Sequence, residues 1–443
     1  MSSIALNTMR RAGALVLAIA VLVGAHTALA HDEEEVLSEI VVVGRATNLL
    51  GAVMSASRGY VGSDDLASRP ILRPGELLEV IPGAAVTQHS GVGKANQYFL
   101  RGFNLDHGTD FAAFVDGIPL NTPTHGHGQG YLDLNPIIPE LVETIEFGKG
   151  PYYTDVGDFS SAGYVRYTMM DQLAAPMIKA GIGENGFLRS LLGGSTGIGL
   201  GDAQLLAALE LQQYDGPWEL DGDAGKVNGM LRMSGHVGEQ YVALTGMAYS
   251  ADWTSTDQVP TRAIEQGLIS RLGNIDPTLG GESERYSVNL QSISQFPREG
   301  LVRANAYFVA SELDLFSNFT YFLNDPVNGD QINQRDRRWT TGVNADVEYA
   351  PLFLRGRGLT RYGVQVRHDR VREVALLQST ARTPVAATVQ DRARITSTAL
   401  YGEIEGDLTP WARATAGLRG TFASARVDNL LLNAPLARDA DDF

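Results

Sequence analysis

The second half of the chain consists largely of segments in which apolar and polar residues alternate. From about residue 176 onward, Val, Leu, Tyr, Phe and Ala alternate with Gln, Asn, Arg, Ser and Thr; the clearest segments are residues 240–253, 284–296, 303–313 and 413–427. A period of two with a moderately apolar face is typical of a transmembrane β-barrel, in which one face meets lipid and the other a polar lumen. A soluble β-sandwich or β-solenoid is the alternative interpretation.

The connections between these segments alternate in length, which favours the barrel. Short connections are expected near residues 199–202, 238–239, 297–300 and 408–410, and long polar ones at residues 215–225, 253–283, 314–337 and 373–393. Outer-membrane barrels have short turns on the periplasmic side and long loops outside the cell. A sandwich gives no reason for so regular an alternation.

The number of candidate strands bears on how much of a barrel is present. We count eleven candidates, whereas a bacterial single-chain barrel needs an even number to close. The last residues, 430–443, leave the alternating pattern and read as the start of another long loop. Because an open barrel would expose unpaired strand edges to lipid, we expect a C-terminally truncated chain that carries about 11 of about 22 strands.

The first thirty residues have the pattern of a secretory signal peptide. Arg10 and Arg11 precede an apolar run at residues 12–25, and Ala28 and Ala30 fit a small-x-small cleavage site. A membrane anchor is the alternative, but the run is short for one. The mature protein is therefore expected to be exported and to begin at His31.

Composition excludes several kinds of site. The chain has no cysteine, which excludes disulfides, thiolate metal sites and cysteine catalysis. Its net charge of -16 argues against a nucleic-acid partner, because phosphate binding needs clustered Lys and Arg. The H-E-x-x-H zinc motif of metallohydrolases is absent from the sequence. We therefore do not expect an enzyme.

Residues 31–171 have a different pattern and predict a compact α+β domain. A β-branched run follows an acidic stretch, and the segment LRPGELLEVIPG, residues 72–83, predicts a helix that begins at Pro74 and stops at Gly83. After it, short strands alternate with glycine-rich loops in YFLRG, FAAFVDGIP and LVETIEFGKGP.

These segments, in this order and before a barrel, resemble those of the TonB-dependent outer-membrane receptors. The resemblance lies in SEIVVVG (residues 38–44), LRPGELLEVIPGAAV (72–86), YFLRGFN (98–104), FVDGIPLN (114–121) and LVETIEFGKGP (141–151). The segment YYTDVGDFSSAGYVRY, residues 152–167, lacks the double glycine usual in the family, which indicates a divergent subgroup.

The resemblance implies a fold and a domain plan. An α+β plug domain followed by a partial transmembrane antiparallel β-barrel is expected, divided into a signal peptide (1–30), a periplasmic segment with the TonB box (31–47), the plug (48–171) and the N-terminal half of the barrel (172–443). The expected TonB box consists of Ser38, Glu39, Ile40, Val41, Val42 and Val43. A β-branched segment of this kind suits strand addition to a partner, although it also fits the first plug strand.

The same resemblance implies partners and a place in the cell. The protein is expected to be a monomer in the outer-membrane lipid, to bind a small molecule and to be driven by TonB and its inner-membrane energising complex. No cofactor is expected other than a transported metal or metal chelate.

The loop NTPTHGHGQGY, residues 121–131, holds two of the eight histidines one residue apart. We interpret residues 104–110 as a hairpin-like connection, so the loops on either side of it, 88–97 and 121–131, should share one end of the domain. By resemblance this end faces the ligand, and His107 should lie at the other end.

Ligand contacts are therefore expected at this shared end, from Gln88, His89, His125, His127, Gln129 and Tyr131. Alternate residues of an extended chain project to the same side, and imidazole is a ligand for Zn, Cu, Ni and Fe. A metal site at His125, His127 and His89 is thus one hypothesis, and a glycine-rich loop without a ligand is the other.

Three classes of function remain to be compared. Energised import of a scarce metal ion or metal chelate is the function that we expect. Import of a carbohydrate or another organic ligand is the alternative, with Tyr131 and Trp253 as aromatic platforms. A secreted metallohydrolase and a passive porin are less favoured, the porin because it lacks an N-terminal domain of this size.

Overall fold

The computed structural model describes residues 52–55, 57–88, 91–296, 300–351, 358–409 and 411–431. The predicted signal peptide, the acidic run and the TonB box therefore lie outside the described residues, as do His89 and residues 432–443. The described chain forms a small mixed domain followed by one large antiparallel sheet.

The N-terminal domain is built on short strands. They are β1 (Ala52–Ser55), β2 (Arg58–Gly62), β3 (Ala84–Thr87), β4 (Gln97–Leu100), β5 (Phe103–Asn104), β6 (Phe111–Val115), β7 (Ile118–Pro119), β8 (Val142–Lys149) and β9 (Gly163–Met169). One sheet has the order β1-β2-β8-β9-β6-β7, with β6 and β9 parallel, and a second has the order β3-β4-β5. Helix α1 (Ser63–Ala67) and the 3₁₀ segments Pro74–Val80 and Pro139–Leu141 complete the domain.

The segment that predicted a helix forms a 3₁₀ helix of seven residues at the predicted place. Pro74 is its first residue, where the missing N–H costs no hydrogen bond. Leu77, Leu78 and Ile81 are fully buried in the core between the two sheets. Burial of each such side chain stabilises the fold by about 1.5–3 kcal/mol. The helix is 3₁₀ rather than α, and it ends at Val80, before Gly83.

The large sheet contains eleven strands within the described residues, as the sequence predicted. They are β10 (Met177–Ile182), β11 (Leu188–Gly197), β12 (Gln204–Tyr214), β13 (Ala224–Val237), β14 (Gln240–Thr254), β15 (Gly280–Phe296), β16 (Gly300–Ser317), β17 (Ile332–Tyr349), β18 (Gly358–Thr380), β19 (Thr383–Thr409) and β20 (Ala412–Asn429). Each strand pairs with the next, and β10 and β20 form the two edges of the described sheet. A short helix, α2 (Thr261–Glu265), lies between β14 and β15.

The two faces of this sheet differ as a barrel wall requires. On β15, Tyr286, Val288 and Leu290 are about half exposed on the outer face. Ser287 and Asn289, which alternate with them, are buried against the N-terminal domain. An apolar exterior and a polar interior along the same strand confirm the partial barrel and exclude the sandwich, whose core would lie between two apolar faces.

One predicted connection is wrong. Residues 373–393, expected as a long loop, instead continue β18 and β19, which are joined by a two-residue turn at Ala381 and Arg382. Both turn residues have positive φ, 49° and 64°, which gives the turn the twist that a hairpin needs. Within the described ranges, no helix is long and apolar enough to cross a membrane.

Candidate functional site between the N-terminal domain and the barrel wall

Residues 121–131, called here the histidine loop, are shaped by the buried amide of Asn121. Its Oδ1 accepts a hydrogen bond from the Ala113 N–H at 2.8 Å. Its Nδ2 donates to the carbonyl oxygens of Gly108 and Gly130, at 2.9 and 3.2 Å. Because one side chain binds both the strand before the loop and the end of the loop, the loop is closed at its base.

Two arginines of the barrel wall bind the backbone of the histidine loop. Arg338 on β17 donates to the Thr124 carbonyl, and Arg367 on β18 donates to the Asn121 carbonyl at 2.9 Å. Each guanidinium is also paired with a carboxylate two residues along its own strand, Asp336 and Asp369 respectively. Paired in this way, the arginines are held in position and present N–H groups to the loop.

Gly126 brings the loop into direct backbone contact with the wall. Its N–H donates to Asp336 Oδ2 at 3.2 Å. A Cβ on Gly126 would lie 2.5 Å from the Arg335 carbonyl oxygen, closer than atoms approach. The glycine at this position therefore permits the docking, whereas Gly128 has a single neighbour within 4 Å of a Cβ, Asp106 Oδ2 at 3.9 Å.

The contacts place the histidine loop near the end of the wall where the long connections lie. Gln334, Asp336 and Arg338 belong to the first residues of β17, directly after the connection at residues 318–331. The turn at Gly117, by contrast, accepts a hydrogen bond from Asn344, further along the same strand. The loop and the turn thus meet the wall at different heights.

The prediction that His107 lies at the opposite end from the histidine loop is wrong. His107 Nε2 is 3.0 Å from His127 Nε2, and His107 Nδ1 is 3.0 Å from the Asn96 carbonyl oxygen. The reason is that β4 makes its hairpin with β5, through a two-residue turn at Arg101 and Gly102. Residues 104–107 then run back alongside β4, which carries His107 to the same end as residues 88–97.

The imidazole rings of the loop make ordered contacts. His125 stacks on Tyr131 with the ring centroids 3.9 Å apart and the planes within 5°. The Tyr131 hydroxyl accepts a hydrogen bond from the Ala95 N–H at 2.9 Å. His127 Nδ1 lies 2.8 Å from Gln334 of the wall. Residues 91–97 and 121–131 therefore lie side by side, and His127 connects the histidine loop to β17.

Burial sets the protonation of these histidines. It lowers the pKa of His125 to about 4 and that of His127 to about 3, and it also lowers the pKa of His107. The ammonium of Lys94, which is itself buried, adds to the effect on His107 and His127. All three imidazoles are consequently neutral near pH 7, the form in which a ring nitrogen can accept a proton or bind a metal.

The predicted metal site is not assembled by the residues that the structure describes. Among them, no three His, Asp or Glu side chains come together in a way that could hold a metal ion. His125 and His127 point to different partners, Tyr131 and His107. The third predicted ligand, His89, is outside the described residues, so three-ligand coordination through His89 stays a prediction.

The other predicted ligand contacts differ in accessibility. Gln129 is exposed, and Gln88 is half-buried with its amide donating to the Gly91 carbonyl at 2.7 Å. Tyr131 and Trp253, the proposed sugar platforms, are buried, with Trp253 only 2% exposed and packed against Gly91 and Gly93. In the described structure neither ring is open to a ligand, because residues 91–95 cover both of them.

A small cavity lies beneath the histidine loop, between the N-terminal domain and the wall. It has a volume of about 30 Å³, and its lining includes His125, Asp133 and Arg285. Burial raises the pKa of Asp133 to about 6, although the Asn135 N–H and the Arg285 guanidinium favour its ionised form. A volume of this size suits about one water molecule rather than a ligand.

Sequence reasoning missed a buried ion pair at the second contact with the wall. Asp116, in the turn between β6 and β7, pairs with Arg232 of β13 at 2.7 Å, and both side chains are 3% exposed. Asn289 donates to the Asp116 carbonyl at 2.8 Å. The Asp-Gly turn was visible in the sequence, but its partners lie more than 100 residues away.

Comparisons with known proteins agree with this architecture. Residues 53–164 match the family model of the TonB-dependent receptor plug domain. The structure is similar to that of the unliganded ferric citrate transporter FecA, with 15% identity over 84% of this chain and 57% of that one and a TM-score of 0.67. It is also similar to the copper transporter OprC (16% identity, 85% and 56% coverage, TM-score 0.64).

A third similar structure is the ferric yersiniabactin uptake receptor FyuA from Yersinia pestis, with 15% identity over 84% of this chain and 60% of that one and a TM-score of 0.66. The chain thus spans less than two thirds of the length of these structures, and at this identity the likeness concerns the fold. Residues 53–164 thus form a TonB-dependent receptor plug domain, which is followed by eleven strands of a barrel wall, and the fold is the one seen in these solved receptors.

Proposed function

We propose that the protein is an outer-membrane receptor that imports a scarce nutrient with energy supplied by TonB, and that the nutrient is a metal ion or a metal chelate. The observation that carries the proposal is the position of the plug domain. It lies against the polar inner face of the barrel wall and is bound to it at two heights, by Arg338 and Arg367 at the histidine loop and by Arg232 at the Asp116 turn. A plug so placed blocks passive flow and must move for transport.

The choice of a metal or a chelate rests on the chemistry of the loop. Two neutral imidazoles, His125 and His127, lie within four residues of the exposed Gln129, and a third, His107, is in contact with His127. Two imidazoles with a chelate's own donors would complete a coordination sphere for Zn, Cu, Ni or Fe. The named ligands of the similar structures, ferric citrate, copper and ferric yersiniabactin, support this class.

The carbohydrate alternative receives less support. The two aromatic rings that would stack on a sugar are both buried, and Tyr131 is already stacked with His125. We propose no enzymatic activity, since the plug and the wall both belong to a fold of receptors. As partners we propose TonB with its inner-membrane complex, engaged by residues 38–43, and the lipid of the outer membrane around the apolar outer face of the sheet.

Uptake by cells tests this proposal. Cells that depend on the protein are given radiolabelled zinc, copper or ferric citrate, and uptake is compared for the wild type and for a variant lacking residues 38–43. Uptake of one probe is expected to fall to the level of cells without the protein, while binding of that probe at the surface is retained. Deletion of the acidic residues 31–35 is the matched control and should leave uptake intact.

Two further results test energised transport and the class of ligand separately. Uptake that persists without residues 38–43 would overturn energised transport. A variant carrying both His125→Ala and His127→Ala separates the ligand class from the transport mechanism. Equal binding of all three probes by this variant and by the wild type would remove the metal hypothesis and leave the receptor intact.

A further inference from the structure

Three arginines of the barrel wall lie side by side in one row across neighbouring strands. The strand register places Arg370 of β18 opposite Arg394 of β19, and Arg394 opposite Arg426 of β20. These three residues are called here the arginine row. Side chains directly opposite on paired strands are close neighbours, and like charges in such pairs destabilise a sheet. The row therefore opposes the pairing of its own strands unless an anion lies against it.

The arginine row faces away from the plug. Asp369, the neighbour of Arg370 along β18, is buried on the inner face, where it pairs with Arg367. Because successive residues of a strand point to opposite faces, Arg370 points outward. The register confirms this direction, since the same row passes through Trp339 of β17 to Tyr286, which lies on the outer face of β15.

The carboxylates near the arginine row do not balance its charge. Asp428 pairs with two of the arginines, at 3.8 Å from Arg394 Nη2 and 3.1 Å from Arg426 Nε. Among the described residues, Arg370 takes part in none of the ion pairs and lies over the Trp339 ring, 5.7 Å from its centroid. The side chains of Arg394 and Arg426 remain 60% and 71% exposed. One carboxylate thus faces three guanidinium groups.

The row marks the upper limit of the uncharged part of the outer face. The outward positions of residues 362–368, 396–402 and 418–424 hold no Asp, Glu, Lys or Arg. From Tyr362 to Arg370 the strand covers about 27 Å, which is about 20 Å of height at a tilt of about 40°, close to the apolar band of about 25 Å. The arginines are therefore the first charges above the lipid chains, on the side of the long connections.

This arrangement fits the phosphate of a lipid. Guanidinium groups bind phosphate oxygens through paired, charge-assisted hydrogen bonds. A Trp beside them is typical of the girdle at the edge of the lipid. Below the row, the exposed side chains of Val366, Leu400 and Phe422 offer an apolar surface to acyl chains. A free anion would use only the row, whereas a phosphorylated lipid would use the row and the surface beneath it.

We propose that the arginine row is a binding site for the phosphorylated headgroup of a lipid in the outer leaflet of the membrane, with the acyl chains of that lipid on the apolar surface below. The proposal rests on the proposed function only for the position of the wall in the outer membrane, and it does not involve the ligand of the histidine loop. A bound phosphate would screen the facing charges and connect β18, β19 and β20.

Lipid binding by the full chain in a neutral detergent tests the site. Native mass spectrometry compares phosphatidic acid, whose phosphate is terminal, with phosphatidylcholine of the same acyl chains. Phosphatidic acid should bind about tenfold more tightly, because charge-assisted hydrogen bonds reach its free phosphate oxygens. Arg370→Gln with Arg394→Gln should abolish this preference. Equal binding of the two lipids by the wild type, or an undiminished preference in the double variant, would overturn the proposal.

Two controls separate the site from net charge and from a free anion. Arg262→Gln with Arg271→Gln removes the same charge from exposed positions in the connection between β14 and β15 and should keep the preference. An equal loss in this variant would show that net charge alone attracts the lipid. Inorganic phosphate at the same concentration should not displace phosphatidic acid. Displacement would assign the row to free phosphate and would likewise overturn a lipid site.

The unfolding temperature in the neutral detergent separates lipid binding from a role in the fold. Because Arg370→Gln with Arg394→Gln removes facing like charges, this variant should unfold at the temperature of the wild type or above it. A clear fall would assign the row to the stability of the sheet. A dimer that the substitutions abolish would assign it to contact between copies of the chain, and either result would overturn the proposal. Failure of nutrient uptake with an intact lipid preference would count against the proposed function alone.

Discussion

The histidine loop and the Asp116 turn both contact the barrel wall, but they are bound by different chemistry. The turn is bound by a buried ion pair and by amide side chains; burial raises the pKa of Asp116, while the Arg232 guanidinium favours its ionised form. The loop is bound through its backbone and through imidazoles that burial keeps neutral. The comparison indicates an anchor of buried charges at one height of the plug and a contact through backbone groups and neutral imidazoles at the other.

The largest effect is expected from removal of the anchor. Arg232→Met leaves the Asp116 carboxylate buried with only the Met169 N–H as a hydrogen-bond donor on its side chain. Loss of one partner of a buried pair costs about 3–5 kcal/mol, so the plug should unfold at markedly lower urea concentration. The fluorescence of Trp253, which packs on Gly91 and Gly93, reports this unfolding.

Two companion variants make the anchor test interpretable. Arg426→Met removes an exposed pair with Asp428 and should cost less than about 1 kcal/mol. Addition of Asp116→Asn to Arg232→Met removes the unpaired charge and should recover part of the loss. A loss no larger than that of Arg426→Met would contradict the role of the Asp116 turn as the anchor.

An intermediate effect is expected from a methyl group in the histidine loop. The Cβ of Gly126→Ala would meet the Arg335 carbonyl oxygen at 2.5 Å, and backbone atoms of a sheet yield little. Undocking of the loop should cost about 1–3 kcal/mol and should raise the mobility of a label at Gln129 at pH 7.5. The readout is the spectrum of a nitroxide attached to Gln129→Cys, which is specific because the chain has no native cysteine.

Gly128→Ala is the matched control, two residues away in the same loop. Its Cβ has one neighbour, at 3.9 Å, and neither glycine has a positive φ. Mobility at pH 7.5 should stay as in the wild type. Equal effects of the two alanines would show that the loop responds to stiffness rather than to its contact with β17.

The smallest effect is expected at the cavity beneath the loop. Because folding raises the pKa of Asp133 to about 6 from about 3.8, the plug binds its proton more tightly than the unfolded chain does. The penalty for the ionised form is therefore absent below pH 4 and complete above pH 6. Asp133→Asn should stabilise the plug more at pH 7.5 than at pH 4.5, and the difference should be about 1–2 kcal/mol.

Urea unfolding of both proteins at the two pH values measures this difference, and the effects of the histidines cancel because both proteins contain them. A stabilisation that is the same at pH 4.5 and pH 7.5 would show that the carboxylate is not the cause. The histidine loop and the Asp116 turn would then differ only in their bonds to the wall, and the Asp133 carboxylate in the cavity beneath the loop would have no part in the difference.

The sequence predicted those parts of the fold that depend on local pattern. The alternation in β14, β15, β16 and β20 identified barrel strands because the period of two is forced by the wall itself. Hairpins without a turn signal were missed. Nothing in Ala381-Arg382 indicates a two-residue turn. Arg101-Gly102 lies within a segment whose pattern predicts a strand, and this prediction places His107 at the wrong end of the domain.

The candidate site was predictable only in part for a related reason. His125 and His127 stood out because they are close in sequence. The residues of the wall that bind the histidine loop are Gln334 at His127, Arg338 at the Thr124 carbonyl and Arg367 at the Asn121 carbonyl; all are more than 200 residues away and are ordinary polar residues of barrel strands. No local pattern distinguishes an inward-facing arginine that binds the plug from one that faces water. The contacts of these arginines with the histidine loop therefore follow from the three-dimensional structure and not from the sequence pattern.

The hairpin of β18 and β19 is much longer than the apolar band of a membrane barrel is tall. A strand of 27 residues is about 90 Å long, and with a tilt of about 40° it rises about 70 Å, whereas the apolar band of such barrels is about 25 Å tall. The hairpin therefore extends well beyond the apolar band. At its tip, Arg382 donates to the carbonyl oxygens of Thr278 and Leu279, so the hairpin is hydrogen-bonded to the connection between β14 and β15. A molecule that binds the tip of this hairpin would therefore also meet the connection between β14 and β15.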